Sequence, residues 1–259
     1  MMTPYRPTLF ERVMAWGPFI ASAALVATGV HLAIKSPELS LLLVALAALA
    51  FVPQLRARRR VRRLLESGDV DAMLHAWQPA LDDIPERDTM APLIAATALI
   101  SNGMVERARS ALSRAHQGPA WDAALEHRLF IEVLADAFEG DRDSALEKAE
   151  RLAGLPLPPA GPIVRTRVSL LRSAAGALAR AFAHTADKRD LGVLRSAARK
   201  NPLVHWAMRY AAAVACIDGG KPSLARKLMA GAPEWPETSV FQAFHAELVQ
   251  HASPAPETS

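Results

Sequence analysis

"LISNGMVERARSALSRA", Leu99 to Ala115, sets a glycine at a fixed distance ahead of small and apolar side chains. Gly103 is followed by Ala108, Leu112 and Ala115, at offsets of five, nine and twelve. A glycine can end one helix by taking a left-handed conformation, and residues at those offsets then share a face of the next helix. The spacing returns three times. "DAFEGDRDSALEKAERL" (Asp136–Leu152) gives Gly140, Ala145, Ala149 and Leu152. "CIDGGKPSLARKLMAGA" (Cys216–Ala232) gives Gly220, Ala225, Met229 and Ala232, and "LLESGDVDAMLHAWQPA" (Leu64–Ala80) gives Gly68, Met73, Trp77 and Ala80. The pattern predicts helical hairpins that repeat along the chain, with a small residue where the paired helices cross.

The four glycines are 35, 37 and 80 residues apart. The long gap predicts one poorer repeat that turns near His184–Asp187 and carries Leu191, Leu194 and Ala198 on its second helix. "DDIPERDTMAP", "GLPLPPAGP", "KNP" and "GAPEWPE" separate the hairpins, since proline suits helix starts and interrupts helix interiors. A last helix over about 236–251 places Val240, Phe241, Phe244 and Leu248 on one side, which suits it to cover the end of a stack.

This arrangement resembles the tetratricopeptide repeat (TPR) family, whose period is about 34 residues. The resemblance covers about 68–235, and the family's aromatic positions are mostly replaced. It implies an α-solenoid of TPR-like helix-turn-helix repeats that works as a binding scaffold, with a protein or peptide partner, no cofactor, no metal and no inherited active site.

The N-terminal quarter is different. Val13–Ile34 is 22 residues without Asp, Glu, Lys or Arg, and Leu39–Leu55 is a second apolar run of 17. At 1.5 Å per residue the first could reach roughly 33 Å, the depth of a hydrocarbon core. "KSPE" between them reads as a tight turn, with Ser36 as a helix cap and Pro37 at the first helical position. The sequence therefore predicts an all-α chain in four parts: a transmembrane helical hairpin over 1–55, an arginine-rich juxtamembrane helix over 56–67, the TPR-like domain over 68–251, and a disordered tail over 252–259.

Charge supports that division. Of 30 Lys and Arg, nine fall in 1–63 against two acids, leaving 21 basic and 24 acidic residues in 64–259. A slightly acidic domain does not suit nucleic acid. The basic excess sits in Arg56, Arg58, Arg59, Arg60, Arg62 and Arg63, which read as membrane-flanking residues holding the second span by the positive-inside rule. That rule predicts a multi-pass inner-membrane protein with both termini cytoplasmic and the lipid bilayer as one partner. The layout also resembles membrane proteins associated with haem biosynthesis in bacteria, without a matched residue set.

Chemistry is thin. The eight histidines are scattered and the one cysteine, Cys216, cannot build a disulfide or a zinc site. His205 and Arg209 precede Cys216 on one helical face, a weak constellation for a nucleophile. "GGKPS" (219–223) lacks the first glycine and the Ser/Thr of a phosphate loop. The chain is therefore expected not to be an enzyme. The stronger candidate is a stripe on "PIVRTRVSLLRSAAGALARAFAH", where Arg165, Ser169, Arg172, Gly176 and Arg180 share a helical side. By the resemblance, Arg165, Arg172 and Arg180 would line a concave groove and receive an acidic partner; the alternative is a solvated charged face. A homo-oligomer that self-associates through the hairpin is the competing structural role.

Overall fold

The computed structural model describes residues 52, 55–57 and 59–252. The chain divides into two compact units, Met1–Arg60 and Val61–Ser259. In the first, Arg56, Arg59 and Arg60 are helical and exposed, and Arg58 lies outside the described residues.

The second unit is built of helices, with no strand among the described residues. Residues 61–66 are helical and turn at Gly68 into α1 (Val70–Asp82). α2 (Arg87–Ser101) turns at Gly103 into α3 (Val105–Ser113). After a short α4 (Pro119–Ala123), α5 (Leu125–Glu139) turns at Gly140 into α6 (Arg142–Ala153). α7 (Pro162–Phe182) turns at His184 into α8 (Lys188–Lys200). A 3-10 turn, Pro202–Val204, leads to α9 (His205–Asp218), which turns at Gly220 into α10 (Pro222–Met229). α11 is Val240–Ala252.

One backbone device closes four of these turns. The turn residue has positive φ, its N–H reaches back three residues, and the next N–H reaches back five. Gly103 N–H donates to Ile100 O (2.9 Å) and Met104 N–H to Leu99 O (3.0 Å). The pairs at Gly140–Asp141, His184–Thr185 and Gly220–Lys221 repeat it. This pair of hydrogen bonds satisfies carbonyls that a helix end would otherwise leave open. The residue five positions after each glycine (Met73, Ala108, Ala145 or Ala225) is buried, as the spacing requires.

The fourth hairpin departs from the rule in a way that explains its poor sequence. The second helix begins two residues after each turn glycine, but four after His184. The longer turn shifts the inward face of α8 to Asp190, Leu194 and Ala197. Where the others bury a small or apolar residue, this hairpin buries the Asp190 carboxylate. It takes two hydrogen bonds from Arg180 (2.6 and 2.9 Å) and one from the Asp187 N–H (3.0 Å). Those donors, Arg180 first, hold the Asp190 carboxyl below its ordinary range.

First helices form an inner layer. α2 touches α5, α5 touches α7, α7 touches α9, and α9 touches α2, so the four close on one another. Alanines at 96, 98, 137, 174, 175, 177, 181, 207, 211 and 212 are nearly fully buried there and let the helices approach. Trp206 fastens the closure by donating its indole N–H to Glu66 O (2.7 Å).

The C-terminal segment also does more than cover the last hairpin. α11 packs on α9 and α10, while the stretch leading into it runs along the turns of the first two hairpins. Val240 N–H donates to Gly103 O (2.9 Å) and Ser239 Oγ to Asn102 O (2.7 Å). Phe241 is fully buried, edge-on to Phe138 and Trp235 at 5.2 and 5.1 Å between centroids. A Cβ at Gly68 would stand 2.6 Å from Pro233, and one at Gly103 would stand 2.8 Å from Ser239 Oγ. At Gly140 and Gly220 nothing lies within 4 Å.

Among the described residues no helix is long and apolar enough to cross a membrane. The longest, α7, has 21 residues but carries Arg165, Arg167, Arg172 and Arg180, too many charges for a span. The expected transmembrane hairpin and the multi-pass inner-membrane location with both termini cytoplasmic are corrected accordingly. The apolar stretches behind them, 13–34 and 39–55, fall almost wholly outside the described residues, as does the tail from 253.

The turn geometry makes a graded prediction. Gly140→Ala strains only the backbone and should destabilise by about 1–2 kcal/mol. Gly103→Ala adds a collision with Ser239 and Phe241 and should cost about 1–3 kcal/mol more. Urea unfolding of the two variants checks the order.

Candidate functional site

A cavity of about 420 Å³ opens where the C-terminal ends of α5, α7 and α9 meet the side of α11. Its floor is apolar: Phe138, Phe182, Val214, Ile217, Phe244 and Leu248. Phe138 stands edge-on to Phe182 at 5.4 Å and to Phe244 at 6.3 Å, and Phe182 meets Phe244 at 5.5 Å. The rim is polar, with Glu139, Arg142, His184, Asp218, Glu247 and His251. An apolar floor with a few polar groups at the edge, in this size range, is the ordinary form of a ligand pocket.

The cavity exists because the C-terminal segment covers only some of the turns. Turns at Gly68 and Gly103 lie under Pro233, Trp235, Ser239 and Phe241. The turns at Gly140, His184 and Gly220 are left to frame the cavity. Only there is there room for a side chain, and His184 uses it. It is one of two non-glycine residues with positive φ among the described residues (φ 58°), a conformation that costs an L-residue about 1–2 kcal/mol. Its Nδ1 sits 2.9 and 3.1 Å from the two carboxylate oxygens of Asp218. A side chain kept at backbone expense and oriented by a carboxylate points to a role at the site.

The other rim groups differ in freedom. Glu139 Oε1 accepts from Arg109 Nε (3.0 Å), with a second contact from Arg109 Nη2 to the other oxygen. His251 Nδ1 lies 2.9 Å from Glu247 O, one turn back on α11. The Glu247 carboxylate is exposed and makes no ion pair among the described residues.

The arginine stripe on α7 does not form one surface. Arg165 is exposed on the projecting first turns, beside Ile163 at 68% exposure. Arg172 is buried at 5% exposure and bound on all sides. Its Nε and Nη2 grip Glu126 at 3.1 and 2.9 Å, and its guanidinium also holds the carbonyls of Leu155 and Pro156. Arg180 is spent on Asp190. Two of the three candidates thus fasten the chain to itself.

Cys216 is buried and burial raises its thiol pKa, which suits a core position rather than a nucleophile. Its two expected neighbours serve the fold. Arg209 stacks 4.6 Å from the Trp206 ring and donates to the carbonyls of Lys227, Leu228 and Ala230, closing the end of α10. His205 Nδ1 is 3.0 Å from Ala198 O and its Nε2 is 3.2 Å from Arg209 Nη1. An imidazole that gives a proton to a carbonyl and accepts one from a guanidinium is neutral. "GGKPS" is the left-handed turn at Gly220 with Pro222 opening α10. Among the described residues no three His, Cys, Asp or Glu are grouped to hold a metal.

The cavity escaped the sequence reading because its residues come from four separate segments. One signal was present. Phe138, Phe182 and Asp218 each stand two residues before a turn residue, the repeat position that faces the cavity. No family model, no curated protein and no solved structure matches the chain.

Two outcomes follow from these placements. Arg172→Ala strands a carboxylate and two carbonyls and should destabilise by about 2–3 kcal/mol, whereas Arg165→Ala should stay within about 0.5 kcal/mol. Denaturant titration separates them. Burial pushes His205 below its ordinary 6.5, against an opposing bond to Ala198 and Glu66 nearby. The unfolded chain then binds the proton first, so this stability is complete above about pH 6.5 and is lost as pH falls below it. Melting curves from about pH 7.5 to 5.5 should show that fall, and His205→Gln should lessen it.

Proposed function

We propose that this chain is a non-catalytic binding module, a TPR-like helical-repeat scaffold that holds a protein or peptide partner by an apolar side chain seated in the turn-end cavity. The observation that carries the reading is the cavity itself: six apolar residues from three inner helices and α11, left uncovered where the turns emerge. The recurring turn closure and the buried residue five positions on support the likeness to TPR hairpins. The recognition surface of this TPR-like array is then the rim where the turns emerge.

Selection of peptides from a random display library on the full chain tests this. Binders should share one large apolar residue, and Leu248→Gln or Ile217→Gln should weaken them by about tenfold, the loss of about 1.4 kcal/mol of buried contact. Binders unaffected by both substitutions, in protein that circular dichroism shows to be folded, would move the site elsewhere.

A further inference from the structure

We infer that the ligand of this cavity carries a positive charge beside its apolar group, so that the partner segment presents a Lys or Arg next to the residue it buries. The inference rests on the proposed binding role of the cavity and specifies its chemistry. Three helices, α5, α7 and α9, end at the mouth with the negative ends of their dipoles, against the one positive end of α6, which begins at Arg142 on the rim. Three carboxylates, Glu139, Asp218 and Glu247, join them on the rim, against Arg142 as the one Lys or Arg there. Glu139 is paired with Arg109, Asp218 faces only His184, and Glu247 makes no ion pair among the described residues.

His184 sharpens the preference. When its Nδ1–H is directed to Asp218 and the second ring nitrogen carries no proton, Nε2 is an acceptor, which suits an ammonium or guanidinium donor. The histidine stands at a turn whose counterparts are glycine, in the one hairpin whose turn is lengthened. The phenyl-lined floor gives the cation's apolar stem a place to lie and offers ring faces to its charge. An anionic ligand of the same shape would meet the dipole ends and the unpaired Glu247 with like charge.

Two probes of one shape and opposite charge decide the matter: phenylbutylamine and phenylbutyrate, titrated into the full chain and followed by the methyl resonances of Val214, Ile217 and Leu248. The amine should shift those methyls and bind at least about tenfold more tightly than the acid. Glu247→Gln should narrow the ratio. His184→Gly should lower affinity for the amine while leaving the melting temperature equal or higher, because glycine takes the left-handed conformation freely. Equal binding of both probes would overturn the charge preference and leave the cavity as an apolar site. Preference for the acid would overturn it as well. Shifts with neither probe would remove the cavity as a ligand site and take the proposed function with it.

Discussion

How near two helices can pass is decided by the side chains between them, and in this protein that distance governs the rest. Alanine fills so many inward positions of α2, α5, α7 and α9 that the four inner helices meet around a common interior. Bulkier residues there would hold neighbouring hairpins apart and let the stack open into a concave face. Once the layer closes, the interior is used up by packing. At the end where the turns emerge, the C-terminal segment decides which turns are covered. The cavity is the part of that end it leaves bare.

Repeats were legible in the sequence because a left-handed turn and a buried small residue are local requirements with a fixed spacing. Gly103 with Ala108, and Gly140 with Ala145, need no knowledge of distant contacts. The fourth hairpin was only half legible: Leu194 and Ala198 are buried as expected, but the longer turn puts Asp190 rather than Leu191 at the first inward position. Closure was not legible at all. The contact of Trp206 with Glu66 spans 140 residues, and no periodicity reports it. A second miss came from reading charge as surface: Arg172 falls on the helical period of exposed residues yet is buried. The carbonyls of the 155–156 loop and the carboxylate of Glu126 supply the partners a buried guanidinium requires.

Much of the polar chemistry serves geometry. Arg172 ties a loop to α5, Arg180 holds the Asp190 carboxylate buried on α8, and Arg209 closes the carbonyl end of α10. Tyr210 joins Trp235 and His245 through one hydroxyl, at 2.7 and 3.0 Å, and burial pushes that phenol up to about 12. Against this background of committed side chains, the looser groups around the cavity stand apart: an unpaired Glu247, an exposed Arg142 and a histidine in a backbone conformation usually left to glycine.

The return of residues 233–241 to the first two turns changes what kind of object the repeat unit is. An open array gains stability from each neighbour in turn, so it can fold from any point and tolerate the gain or loss of a hairpin. Here the first hairpins acquire their cover only from the last part of the chain. During synthesis, the turns at Gly68 and Gly103 must wait, with apolar surface unshielded, until Trp235 and Phe241 have left the ribosome. The unit is thus inherited whole: a hairpin inserted or deleted between α2 and α9 would carry the closing segment past the turns it fits.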